Sequence, residues 1–162
     1  MGADLFIEQI HTPLVNRYKP LFLAALQKRN QAPQGSKAAT VAQAELEKYA
    51  ALMDSAGYFR DNYNATSVLW RLDLSWWVDV LPLCDKKGNL KDGALVKFRE
   101  MVQSAKLNLP TQQELIDQGC KLADEGEHSV AGWHANFRKS HARLLAFLDE
   151  AIALNTSIYC SL

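Results

Sequence analysis

The sequence predicts a mainly α fold, a single helical domain over residues 1–162. Its expected form is a bundle of five or six helices, with at most a minor two-stranded ribbon from the N- and C-terminal segments. Three observations carry this reading. Strand-like composition is confined to the two ends, ADLFIEQI and SIYCSL. The middle is helical by apolar period, caps and stops. The alternating strand and helix units that a parallel α/β sheet needs are missing.

Taken in order, ADLFIEQI is β-branched and aromatic enough for a short strand. Thr12-Pro13 then has the form of an N-cap followed by proline at the first helical position. Leu14, Tyr18, Leu21, Phe22 and Ala25 follow at helical spacing. Pro20 lies inside that pattern and implies a kink or a later start. NQAPQGS, residues 30–36, is a short connection. Residues 36–56 form a second helix, with Val41, Leu46, Tyr49, Leu52 and Met53 tracing one face and Gly57 as its stop. CDKKGNLKDG is a polar turn that lacks the alternating oxygens of a calcium loop. Asp92 is placed to cap a helix whose Leu95, Phe98, Met101, Val102 and Ala105 form a stripe. Thr111 with Glu114 is a capping box, opening a helix that Gly126 interrupts. From about Glu127 to Leu154, Val130, Trp133, Phe137, Leu144, Leu148 and Ile152 keep the period of one long amphipathic helix. SIYCSL ends the chain as a second short strand, with the N-terminal segment as its natural mate.

Composition narrows the function classes. Apolar residues make up 48% of the chain and charged residues 22%, as in ordinary globular proteins. Eighteen basic residues balance eighteen acidic ones. A binder of the nucleic-acid backbone works by neutralising phosphates and shows a basic excess, so a nucleic-acid partner is disfavoured. The three cysteines, Cys84, Cys120 and Cys160, are widely spaced and offer neither a zinc knuckle nor a disulfide framework. With no apolar run long enough to span a bilayer and no signal-peptide pattern, the expected location is the cytoplasm, without a membrane partner.

The densest stretch is YFRDNYNATSVLWRLDLSWWVDVLP, residues 58–82, which holds three of the four tryptophans. On a helical wheel, Trp70, Leu74, Trp77 and Leu81 form one stripe; Leu69, Leu72, Trp76, Val80 and Leu83 form another, nearly opposite. Two arrangements fit. A helix apolar on both sides is packed on both sides, which makes it central to the bundle. Alternatively Asp73 caps a second, shorter helix. A functional reading keeps one stripe in the core and leaves the Trp70/Trp77 side at a cleft or partner surface, because tryptophan buries much area at little rotamer cost. The preceding YFRDNYN, residues 58–64, follows a helix stop, carries turn chemistry and reads as a surface loop. Its Tyr58, Phe59 and Tyr63, with Arg60 and Asp61, are the best candidate binding rim.

Other constellations are weaker. His134 and His141 share a face of the last helix but lie about 10 Å apart along its axis, too far for one metal. Each reads as a core or boundary histidine bonded to a neighbour. Glu125-x-x-His128 has the spacing of a di-iron motif but occurs once, with Gly126 inside it. The chain holds no nucleophile elbow, glycine-rich phosphate loop or HExxH. No metal or cofactor is expected, and no catalytic residue.

The favoured expectation is a small non-enzymatic protein-binding module, a regulator or inhibitor of a larger protein, using Tyr58, Phe59, Arg60, Asp61, Tyr63 and Trp77. The alternative is a small-molecule-binding protein or cryptic enzyme with an aromatic cleft. There Arg60 or Arg71 meets an anionic group while Trp70 or Tyr63 stacks on a ring.

Overall fold

Residues 2–162 are described by a computed structural model. The chain is mostly helical, with a small four-stranded antiparallel sheet. Its internal contacts divide it into two units: Phe6–Tyr58, and the residues up to Leu5 together with Phe59–Leu162.

The larger unit is organised by the sheet, whose strands are β1 (Gly2–Phe6), β2 (Tyr58–Asn62), β3 (Asn89–Leu90) and β4 (Ile158–Ser161). Their order is β2-β1-β4-β3, so the two terminal segments are neighbours at its centre. Successive side chains alternate between faces. Ala3, Leu5, Phe59, Asp61, Leu90, Ile158 and Cys160 are buried, while Arg60, Asn62, Tyr159 and Ser161 are exposed. On the outer side Arg60 pairs with Asp4 at 3.7 Å.

Two helices pack a large share of this unit's apolar core. From α4 (Asp92–Ser104) come Leu95, Phe98 and Val102, the stripe its period predicts. From α6 (Val130–Ala153) come Phe137, Leu144, Phe147, Leu148 and Ala151. Phe147 meets Phe59 of the sheet at 6.1 Å between ring centroids.

Shorter pieces join these: α3 (Val68–Arg71), a π-helical turn at Trp76–Val80, a 3-10 turn at Leu81–Leu83, and α5 (Gln112–Asp117). The Thr111/Glu114 capping box is present. The Thr111 amide and hydroxyl hold the Glu114 carboxyl below its ordinary range. That helix stops at Asp117, ahead of Gly119 at φ 77, rather than continuing to Gly126. Ser129 caps α6, so the last helix begins at Val130 rather than Glu127. Asp92 is not a cap; it is the first residue of α4, at φ 51, with Lys91 in the cap position. In the polar turn, Asp85 accepts from the amides of Lys87 and Asn89 at 2.8 and 2.9 Å, which lowers its carboxyl pKa. Both histidines of α6 are bonded to backbone carbonyls, His134 to Pro110 at 2.7 Å and His141 to Val102 at 3.0 Å. Cys84 donates to the Val80 carbonyl at 3.6 Å and Cys160 to the Ile158 carbonyl at 3.9 Å; the proximity of the two thiols lowers the pKa of Cys84, and that proximity with burial raises that of Cys160.

The smaller unit is a helical hairpin of α1 (Glu8–Gln31) and α2 (Lys37–Met53). The expected start at Thr12-Pro13 is wrong: α1 begins at Glu8 and runs through both Pro13 and Pro20. Each proline forgoes one amide donor. The residues whose carbonyls lose that donor, Gln9 and Asn16, are exposed, where water can take the place of the missing bond. Ser36 caps α2 by accepting from the Ala39 amide at 3.1 Å. Only Ala25 of α1 and Ala42 and Leu46 of α2 are fully buried, whereas Leu21, Leu23 and Val41 face out. At the open end of the hairpin, the rings of Phe6, His11 and Tyr58 cluster at 4.9–5.6 Å, and the Ile7 amide bonds Gly57 at 2.8 Å.

Gly57 is the conformational hinge of that closure. Its φ is +65, and a Cβ there would stand 2.7 Å from Ile10 Cβ and 2.9 Å from the His11 amide nitrogen. Gly35 has a similar φ of +75 but open space around it. Gly57→Ala is therefore expected to cost about 2–4 kcal/mol, from left-handed strain plus overpacking. Gly35→Ala is expected to cost only the strain, about 1–2 kcal/mol. Urea denaturation of the two variants checks the difference; equal losses would remove the steric argument.

Candidate functional site

Residues 58–64 do not form a loop. Tyr58–Asn62 is an edge strand, because Phe59 and Asp61 alternate inward while Arg60 and Asn62 alternate outward. The turn chemistry of the sequence is displaced by a few residues. Asn64 accepts from the amide and hydroxyl of Thr66 at 3.0 and 2.6 Å, and Ser67 caps α3.

The Asp61 carboxylate lies beneath that cap and accepts four hydrogen bonds. Oδ1 takes the Val68 amide at 2.8 Å. Oδ2 takes the Ser67 hydroxyl at 2.6 Å, the Trp76 indole N–H at 2.9 Å and the Leu69 amide at 3.3 Å. Ser67 in turn accepts from the Trp70 amide at 3.2 Å. One buried side chain thus fixes the start of α3 and the indole that begins the π turn.

The tryptophan segment is not one helix. It stops after Arg71; Asp73 takes a left-handed φ of 55; Ser75, rather than Asp73, caps the next turn. The Asp79 carboxylate closes that turn by accepting from the Ser75 amide at 2.7 Å. Asp73 accepts from the Asn108 amide group at 2.7 Å.

The break leaves the two stripes on opposite sides nonetheless. Leu69, Leu72, Trp76 and Val80 are buried, and Trp76 meets Phe98 edge-on at 5.9 Å. Trp70 and Trp77 are 55% and 52% exposed, and Val78 is 73% exposed. Between them lies a cleft of about 470 Å³, open to solvent. Tyr63, Trp70, Trp77, Val78 and Leu74 supply its apolar lining; Asn62, Ser67, Ser75, Asp73 and Asp79 supply polar groups. Tyr63 leans on Trp77 at 5.5 Å between centroids. Its hydroxyl is buried and, among the described residues, has no hydrogen-bond partner. Burial pushes the Tyr63 phenol above its ordinary pKa, with a contribution from the Asp4 charge.

The structure therefore brings Tyr63, Trp70 and Trp77 together and places the other candidates elsewhere. Phe59 and Asp61 point into the interior. Tyr58 joins the ring cluster with Phe6 and His11, and Arg60 pairs with Asp4. Arg71 is buried: its guanidinium donates to the Ala65 carbonyl at 3.1 Å and to Gln118 at 3.2 Å, and lies over the Phe137 ring at 5.3 Å. The cleft lining includes Asp73, Asp79 and Val78, none of which the sequence singled out as contacts. The Asp73-x-Ser75 break was the readable signal, since it ends α3 and turns the following indoles apart.

The chain matches no family model, no curated protein and no solved structure.

Two results are expected from this geometry. Asp61→Ala leaves two amides, a hydroxyl and an indole N–H buried without their acceptor, so a loss on the order of 3–5 kcal/mol is expected in urea unfolding. A loss under about 1 kcal/mol would mean that the four bonds carry little. Trp76→Ala is expected to cost about 3–5 kcal/mol, because it empties a core position. Trp77→Ala, half in water already, is expected to cost about 1 kcal/mol or less. Thermal melts of the pair check the assignment, and a reversed order would refute it.

Proposed function

We propose that this chain is a small non-enzymatic protein-binding module whose contact surface is the cleft between α3 and the π turn, centred on Tyr63, Trp70 and Trp77. One observation carries the reading: Trp70, Trp77 and Val78 stay largely exposed beside an open cleft of about 470 Å³. Clustered exposed apolar rings cost solubility and mark interaction sites. Tryptophan and tyrosine are the side chains that dominate contact energies in such sites. The cleft opens broadly to solvent, which suits a side chain presented by a partner better than a small molecule needing most of its surface enclosed.

A small ligand is the second reading, and the volume supports it, since ligand sites begin at about 300 Å³. An anionic ligand has no support from the charges, because Arg60 and Arg71 are engaged elsewhere and, among the described residues, no basic one lines the cleft.

The expected outcome of affinity capture is a protein retained by the wild-type chain and lost at least tenfold on Trp70→Ala with Trp77→Ala. The melting temperature is expected to fall by only a few degrees. Native mass spectrometry of the retained species checks this; a bound small molecule, or a protein retained equally by both chains, would overturn the reading.

A further inference from the structure

The cleft carries charge as well as rings, and the two agree in sign. Asp73 and Asp79 both line it, and no lysine, arginine or histidine does. Asp73 is exposed and stands at a left-handed φ of 55, a conformation that favours glycine. Asn108 bonds its carboxylate in that position at 2.7 Å. Asp79 is tethered through one oxygen to the Ser75 amide at 2.7 Å. Among the described residues, neither carboxylate has a cationic partner within ion-pair distance. Elsewhere in the chain, by contrast, Asp4, Asp54, Asp85 and Asp149 stand within that distance of Arg60, His11, Lys91 and Arg99. The two carboxylates of the cleft are thus set apart beside indole and phenol rings whose faces are themselves the negative ends of quadrupoles.

We infer that the cleft takes a basic side chain, a lysine or arginine displayed by the partner protein, held between the aromatic faces and the carboxylates of Asp73 and Asp79. This rests on the protein-binding reading above and names what that site selects. A cation over an indole or phenol face gains from the ring quadrupole, and most so where water is partly excluded. The nearby carboxylates add a Coulomb term that salt weakens. The aliphatic stem of a lysine or arginine covers Val78 and the ring edges while its head reaches the acids. An acidic side chain meets repulsion from both rings and carboxylates, so the same geometry that attracts a cation rejects an anion.

The test is selection of a random peptide display library on the full chain, scored against two variants. Asp73→Asn with Asp79→Asn removes the charge but leaves an oxygen to accept from Asn108 and Ser75; matched near-ultraviolet dichroism and melting verify that its fold is kept. Trp70→Ala with Trp77→Ala removes the rings. The expected result is enrichment of lysine or arginine over the input library. Binding should weaken about threefold to tenfold in the Asn variant, weaken further at high salt, and be lost in the Ala variant. Peptides that need the tryptophans but show no basic enrichment, or bind the Asn variant equally well, would overturn the cationic inference and leave the binding module standing. The absence of any peptide whose retention needs Trp70 and Trp77 would overturn both.

Discussion

The interaction on which the larger unit depends is the buried carboxylate of Asp61. It comes from an edge strand, where an inward-facing position is ordinarily apolar, and a carboxylate there must find donors or stay out. It finds four, from Ser67, Val68, Leu69 and Trp76, at 2.6–3.3 Å. Three of these belong to the first residues of α3 and its cap, where amides have no partner within the helix. A helix of only four residues has almost no stability of its own. Asp61 gives it a fixed origin and ties that origin to the sheet. The fourth donor anchors Trp76, whose ring then bears on Phe98 of α4. Strand, short helix, π turn and long helix are therefore joined through a single side chain.

That arrangement explains what was legible in the sequence and what was not. The wheel separated Leu69, Leu72, Trp76 and Val80 from Trp70 and Trp77, and those two groups are respectively buried and exposed. It did so although the helix it assumed is broken at Asp73. Ser75 restarts the turn with Trp76 buried and Trp77 exposed, which keeps the two groups apart across the break. The capping box at Thr111 and the stripe of α4 were legible for a simpler reason, being local patterns with local causes. The strand at residues 58–62 was hidden because its inward positions are Phe59 and Asp61. Period-two alternation is visible only when the inward residues are apolar, and a buried aspartate imitates a turn. The four-stranded sheet was half hidden for a related reason: β3 is two residues long and has no signature of its own. Arg71 misled in the opposite direction. An arginine beside a tryptophan suggests a ligand contact, yet its guanidinium is satisfied within the fold by a carbonyl, an amide and a ring.

The same chain segment thus meets two opposite demands. Its inner side needs saturated hydrogen bonds and close packing, and Asp61 with Trp76 provides them. Its outer side keeps Trp70, Trp77 and Val78 in contact with water at a cost in hydration that the folded chain alone does not recover. A π turn suits such a segment. Its wider helix lets the Val80 amide reach back five residues to the Ser75 carbonyl at 3.3 Å, and such turns are frequent at functional sites.

In the proposed reading, charge makes the outer side selective rather than merely adhesive. A bare aromatic cleft in a chain of zero net charge would accept many apolar side chains, with discrimination of a few methylenes at most. Asp73 and Asp79 change that balance without entering the core, since each is held by a single neutral donor, Asn108 or the Ser75 amide. A neutral donor positions a carboxylate while leaving its charge uncompensated, whereas a lysine or arginine in the same place would have cancelled it. Arg71, the nearest arginine in sequence, is kept from doing so by the Ala65 carbonyl, Gln118 and the Phe137 ring. The internal satisfaction of Arg71 and the open charge of Asp73 and Asp79 are in this sense one device. The fold spends its nearby cation inside, and the cleft keeps its anions.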